Sequence, residues 1–217
     1  MPQKNGTQSE IKIVETNCDI ICLQETKKAK IVHLFIRNIC PVTFNKFEFV
    51  PSMGASGGML VAWKGNLFDG ELVFPNNFAM SLEFTSLVND ASWRLTNIYA
   101  PCTADGKRGF LDWFENIHMP LDLEWIILGD FNLIRKPQDR NKPGGDVNDM
   151  MAFKQAISSP GLIELPLTGK QFTWSNKQDD PLLERLDWFF TNNAWTLAYP
   201  NTRVETLVME ASDHCPC

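Results

Sequence analysis

The strongest constraint on the fold is how closely the strand-like apolar runs follow one another. Val42–Val50, Gly58–Trp63, Leu67–Phe74, Met80–Leu87 and Trp93–Tyr99 are separated by only a few residues each. A parallel crossover needs a dozen or more residues, so most of these neighbours must pair antiparallel. Alternation supports the reading: in MSLEFTSL, Leu82, Phe84 and Leu87 are the apolar positions, as a half-buried strand requires. Asp19–Gln24, Glu124–Leu128, Gln171–Trp174, Leu186–Phe190 and Val204–Met209 add shorter strands. Helical spacing marks Ser9–Thr16, Lys27–Cys40, Gly109–Met119 and Asn193–Ala198. A further helix runs to Ile157, with Asp146 or Asn148 as its cap. Asn132–Val147 reads as a long polar loop. The expected fold is therefore α/β in the α+β sense: two packed sheets, mixed or antiparallel, with helices outside them.

The chain has 217 residues, 20 Lys+Arg against 26 Asp+Glu, and a net charge of −6. With 44% hydrophobic residues, the balance excludes disordered, collagenous and coiled-coil classes. The length suits a single domain over 1–217. An acidic chain does not suit a general nucleic-acid coat, but a nuclease needs carboxylates in its site and only local basic contacts. No apolar run approaches the ~18 residues of a membrane span. The polar start, MPQKNGTQSEIK, lacks the apolar core of a secretory signal. The expectation is a nuclear or cytoplasmic protein, not secreted. The six cysteines form no CxxC pair, which predicts reduced thiols.

Four polar clusters stand directly after apolar strands: Gln24-Glu25-Thr26, Asn97–Pro101, Gly129-Asp130-Phe131-Asn132 and Ser212-Asp213-His214. Strand ends deliver side chains into a shared crevice. Gly129 permits a tight exit. Asp130 then offers a base, with the Asn132 amide on the same side if the backbone stays extended. Asp213 and His214 are adjacent, so on a strand they face opposite ways and take different partners. Asp187 lies inside the apolar run RLDWFF, where an unpaired carboxylate would cost several kcal/mol. His214 or Arg185 can supply its partner.

Taken in order, DIICLQET, SGGMLVAW, NIYAP, WIILGDFN, FTWSN, RLDWFF and SDHCP resemble the endonuclease/exonuclease/phosphatase superfamily, the deoxyribonuclease I-like fold. The last three motifs are most similar to the endonuclease domain of plant LINE-type (non-LTR) retrotransposons. The resemblance spans about Asp19 to Pro216 and implies a four-layer sandwich. It implies that Glu25 and Asp213 bind Mg²⁺, with Mn²⁺ as an alternative, and that no small-molecule cofactor is used. Asp130 would activate water and Asn132 would hold phosphate oxygens. His214 would contact the phosphate with Asp187 orienting it, and Tyr99 would stand near the scissile phosphate. Thr173 and Trp174 would lie on the substrate side, and the basic stretch Arg135–Lys142 could touch DNA phosphates. The implied partner is DNA, with no membrane. The resemblance also implies that a first strand ending in asparagine is missing near Asn5-Gly6 and that the last strand is truncated. Two further readings are a catalytically inactive remnant of such a domain and a phosphatase of inositol phosphates. The second lacks its usual PAWCDR-like segment where this chain has ERLDWFF.

Overall fold

The computed structural model describes residues 18–53, 57–120, 122–207 and 212–217. Its elements begin with β1 (Ile20–Leu23), α1 (His33–Ile39), β2 (Phe44–Val50), β3 (Met59–Lys64), β4 (Phe68–Pro75), β5 (Ala79–Ser86) and β6 (Ser92–Tyr99). They continue with α2 (Ala104–Glu115), β7 (Glu124–Asp130), α3 (Val147–Ser158), β8 (Ile163–Glu164), β9 (Leu167–Thr168) and β10 (Trp174–Ser175). Last come β11 (Leu183–Glu184), β12 (Asp187–Thr191), α4 (Asn193–Ala198) and β13 (Val204–Glu205).

Two sheets carry the fold. One is three-stranded, in the order β1-β3-β2; the other is six-stranded, in the order β4-β5-β6-β7-β12-β8. Within the larger sheet only β6 and β7 run parallel, and α2 makes the crossover between them. The period-2 alternation of the strands sorts side chains into layers. From β3, Met59, Val61 and Trp63 meet Met80, Leu82, Phe84 and Leu95 between the sheets, while Leu60 and Ala62 face Ile36 and Cys40 on the α1 side. From the larger sheet, Ile98, Ile127, Trp188 and Phe190 face outward onto Phe110 and Phe114 of α2 and Phe153 of α3. The layers are therefore helix, sheet, sheet, helix. This is the expected four-layer sandwich of mixed and antiparallel sheets. Two small ribbons, β10–β11 and the parallel β9–β13, lie beside it.

Several element boundaries differ from the sequence reading. The helix expected over Lys27–Cys40 shrinks to α1. Before it, the Thr26 and Lys27 amides donate to the Gly58 and Gly57 carbonyls, and Lys27 sits at φ 53, so this stretch docks on the loop entering β3. The helix expected at Gly109–Met119 starts earlier, because Thr103 caps it by accepting from the Gly106 amide. Its polar first turn carries no apolar stripe to betray it. Asp146 does cap α3, its side chain accepting from the Asn148 and Asp149 amides. The strand expected at Gln171–Trp174 is only β10, and that expected at Val204–Met209 is β13, with 208–211 outside the described residues. Ser9–Thr16 and Asn5-Gly6 also lie outside them. All six cysteines are free thiols. Among the described residues no helix is long and apolar enough to cross a membrane.

Candidate active site

Register builds the site. In the six-stranded sheet Asp130 is paired with Tyr99 on β6 and with Asp187 on β12. Residues in register share a face, so Tyr99, Asp130 and Asp187 stand side by side at the sheet's end, on the face toward the smaller sheet. Gly129 makes this pairing possible. It has φ 132, and a Cβ there would lie 2.2 Å from the Ile98 carbonyl oxygen, so only glycine lets β6 and β7 approach at that level.

The segment carrying His214 is attached to β10. The Ser175 amide donates to the Asp213 carbonyl and the Cys215 amide to that of Thr173, so Trp174 and His214 face each other across an isolated bridge. This places the His214 Nδ1 atom 2.9 Å from Asp187 Oδ2 and the Nε2 atom 3.7 Å from Asp130 Oδ2. His214 is thus the partner that Asp187 required. Arg185, the alternative, pairs with Glu164 at 2.9 Å. Asp213 takes a different partner, as expected, accepting from the Trp174 indole N–H at 3.1 Å.

Two expected substrate contacts are spent inside the protein. Asn132 does not continue an extended backbone. It sits at φ 49, its amide N–H donates to Asp130 Oδ1, and its side-chain NH₂ donates to Asp130 Oδ2 and the Ala100 carbonyl. Both side-chain hydrogens are committed, so Asn132 braces Asp130. Thr173 is fully buried, and its hydroxyl accepts from the Leu186 and Asp187 amides. It fixes the backbone beneath Asp187 and presents no group to the cleft. Trp174 is half-buried against Ile134, Met150 and Leu186, with its N–H on Asp213.

Glu25 comes from the opposite wall, just after β1, in a left-handed conformation at φ 51. Its place is set by a contact that the sequence reading did not assign. The neighbouring Gln24 donates its side-chain amide to Asn97 Oδ1 at 2.5 Å, and Asn97 donates to the Leu23 carbonyl at 3.2 Å. Asn97 is fully buried on β6, so one asparagine ties the two sheets together beside the site. An amide inside the apolar run NIYAP was the available signal, because such a group needs partners when buried.

The electrostatics follow from this convergence. Burial, and then the charge of Asp187, raise Asp130 well above the ordinary carboxylate range, although His214 and the Asn132 amide pull it back. Burial would lower His214, but the hydrogen bond and charge of Asp187, with Asp130 and Asp213, outweigh it and push His214 up to about 9. Burial, with the charges of Glu25 and Asp130 foremost, pushes the Tyr99 phenol up to about 12. For Asp213 burial is outweighed by the Trp174 N–H and other donors, so it stays below the usual range. Four carboxylates therefore crowd one cleft. The ion pair of Glu25 with Lys27, at 3.2 Å, is exposed on both sides and worth little.

This donor set fits a hard divalent cation, which takes carboxylate oxygens and water. Asp130, Asp187 and His214 offer ligand atoms within 4.8 Å of one another. The Asp187–Nδ1 hydrogen bond joins two of these three, and the charges of Glu25 and Asp213 are felt in the same cleft.

A pH effect on stability follows. His214 ordinarily titrates at 6.5 and here at about 9, so its protonated form favours folding. That contribution is whole below pH 6.5 and is lost as pH rises through about 9. The raised Asp130 acts in the same direction, since its ionisation disfavours the folded state. Without divalent ions, the melting temperature is expected to fall across this window. A His214→Gln variant should show a flatter profile, and equal slopes would remove His214 as the cause.

The basic stretch Arg135–Lys142 is largely neutralised within the protein. Arg135 pairs with Glu164, Arg140 with Glu184 at 3.2 Å, and Lys142 with Asp180 at 2.7 Å. Lys136 has no acidic partner among the described residues.

Comparison with solved structures gives the same architecture. The endonuclease domain of TRAS1, a telomere-specific non-LTR retrotransposon, superposes with a TM-score of 0.62 at 14% identity, covering 91% of this chain and 83% of that one. An endonuclease/exonuclease/phosphatase family protein from Leptotrichia buccalis gives 0.57 at 14% identity, covering 91% and 84%. TDP2 of D. rerio, complexed with a single-strand DNA product, gives 0.55 at 15% identity, covering 91% and 83%. At these identities the likeness concerns the fold alone. A search of curated proteins finds no significant match. The family model for endonuclease/exonuclease/phosphatase proteins matches residues 8–214. Motif order, layer architecture and that match agree: the chain belongs to the endonuclease/exonuclease/phosphatase family.

Proposed function

We propose that the protein is a divalent-metal-dependent phosphodiesterase that cuts DNA, of the kind carried by LINE-type retrotransposons, and that it works in the nucleus. The observation that carries the reading is the chain Asp187–His214–Asp130 at the end of the larger sheet, facing Glu25 across the cleft. Asp130 is the base for an attacking water. Its raised proton affinity suits it to accept a proton near neutral pH, and Asn132 fixes its orientation. His214, held protonated by Asp187, places positive charge and an Nε2–H where the phosphate's negative charge grows. Tyr99 stays a neutral phenol and donates a hydrogen bond to a phosphate oxygen. Glu25 and Asp213 would hold Mg²⁺, which when bound polarises the phosphoryl group and offsets charge on the leaving oxygen.

The retrotransposon assignment is supported by the ordered motifs FTWSN, RLDWFF and SDHCP, and the fold likeness to TRAS1 agrees with it. The test is nicking of supercoiled plasmid with Mg²⁺. Wild type is expected to nick, while Asp130→Ala and His214→Ala fall by about 10²–10⁴-fold, the worth of a positioned acid or base. Nicking that survives in both variants would sink the mechanism. A folded wild type that nicks nothing would favour an inactive remnant.

A further inference from the structure

Next to Arg185, just before the strand that carries Asp187, lies a cavity of about 330 Å³. Lys136, Lys170 and Arg185 line it, with Gln138 and Gln171. Its charge is not cancelled from within. Asp139, the acid in its wall, is buried, and one of its oxygens accepts from the Arg135 and Lys136 amides at 2.8 and 2.9 Å. Glu164 bridges Arg135 and Arg185. These two acids balance the two arginines, which leaves Lys136 and Lys170 as an uncompensated pair. Both are solvent-facing, and neither has an acidic partner among the described residues.

The cavity is also ordered in advance. The Arg185 guanidinium lies over the Trp188 ring at 4.1 Å, which fixes its plane. Its Nε is shielded from water and meets no acceptor. An oxyanion would answer the unmatched charge of the two lysines. Arg185 in its wall stands two residues before Asp187, the residue bonded to His214, so the cavity and the Asp187–His214 pair are carried on one short segment.

We propose that the cavity is a second oxyanion subsite, seating a backbone phosphate of the same nucleic-acid strand whose scissile phosphate lies at Asp130 and His214. The inference rests on the phosphodiesterase reading. It assigns recognition to Lys136 and Lys170, because Arg185 and the other cations of the Arg135–Lys142 stretch are paired with acids.

The test measures binding of a short DNA duplex in the presence of EDTA, over roughly 50–200 mM salt. Lys136→Ala/Lys170→Ala is compared with Lys46→Ala/Lys154→Ala, which removes the same charge from exposed positions elsewhere. The cavity variant is expected to bind about 10-fold more weakly, and its log K against log salt slope to fall by about 1–2. The control pair should keep the wild-type slope. Equal behaviour of the two variants would overturn the proposal while leaving the nuclease reading intact. A parallel melting series with inorganic phosphate identifies the source of the anion. If wild type binds no duplex, yet phosphate stabilises it through these same lysines, the backbone assignment is overturned. That outcome would mark a failure of the nuclease reading, distinct from a failure of the cavity to hold anions.

Discussion

Replacing Asp187 with asparagine is expected to slow phosphodiester cleavage by about 10³–10⁴-fold while leaving the fold intact. Asp187 accepts from the His214 Nδ1–H at 2.9 Å, which fixes the tautomer and stabilises the imidazolium. An asparagine amide can turn its NH₂ toward Nδ1, which then becomes the acceptor and moves the ring proton to Nε2. The ring is then neutral at working pH and contributes no positive charge at the phosphate. The backbone of residue 187 keeps its bond to the Thr173 hydroxyl, so stability should change little. Single-turnover cleavage of a defined duplex measures the rate, and the pH profile should lose the feature that His214 supplies near 9. A fall of less than about 10-fold, smaller than general acid–base groups typically contribute, would remove Asp187 from the mechanism.

The largest effect on stability is expected at Gly129. An alanine there would place its Cβ 2.2 Å from the Ile98 carbonyl oxygen, at φ 132. The obstacle is backbone, which no rotamer change relieves. Strand β6 must shift or the parallel pairing must break, at a cost of at least about 3 kcal/mol. Because Tyr99, Asp130 and Asp187 are aligned by the same register, any surviving folded protein should also lose activity. Gly161 is the control. It has φ 72, but a Cβ there would meet nothing within 4 Å, so its alanine variant should lose only about 1–2 kcal/mol, the left-handed penalty alone. Urea unfolding of the two variants measures the difference. Equal midpoints would show that the close approach at Gly129 does not control the fold.

Much of this was legible in the sequence because period-2 patterns and motif order are local. Strands β3 to β7 are alternating or continuous apolar runs, and their places were readable within a residue or two. The two-residue strands β8, β9 and β11 were not, because so short an element has no periodicity and exists only through its tertiary partner. The same distinction holds in the site. Asp130, His214 and Asp187 were readable as chemistry, and the need of Asp187 for a donor followed from its apolar run. The tasks of Asn132 and Thr173 were not readable. Each depends on where a distant carbonyl or amide falls, Ala100 for one and Leu186 for the other. Asn97 was seen as part of a cluster, but its bond to Gln24 across 73 positions needed the sheets to be stacked. The pairing of the basic loop was not readable for a related reason: the acids it meets, Glu164, Asp180 and Glu184, lie far along the chain.

The unequal size of the two sheets has a consequence for how the molecule comes apart. The larger sheet is clamped by α2 and α3 and by an aromatic cluster that includes Phe110, Phe114, Phe131 and Trp188. Among the described residues the smaller has three strands and the seven-residue α1, and β2 pairs only with β3. Cooperative units of so different a size open with different free energies. The smaller one is expected to open first, as a subglobal step, while the larger stays folded. Glu25 travels with the first unit, and Asp130, Asp187 and Tyr99 stay with the second. Inactivation by heat or denaturant is therefore expected to begin as a separation of half-sites, read as loss of activity before loss of far-UV circular dichroism.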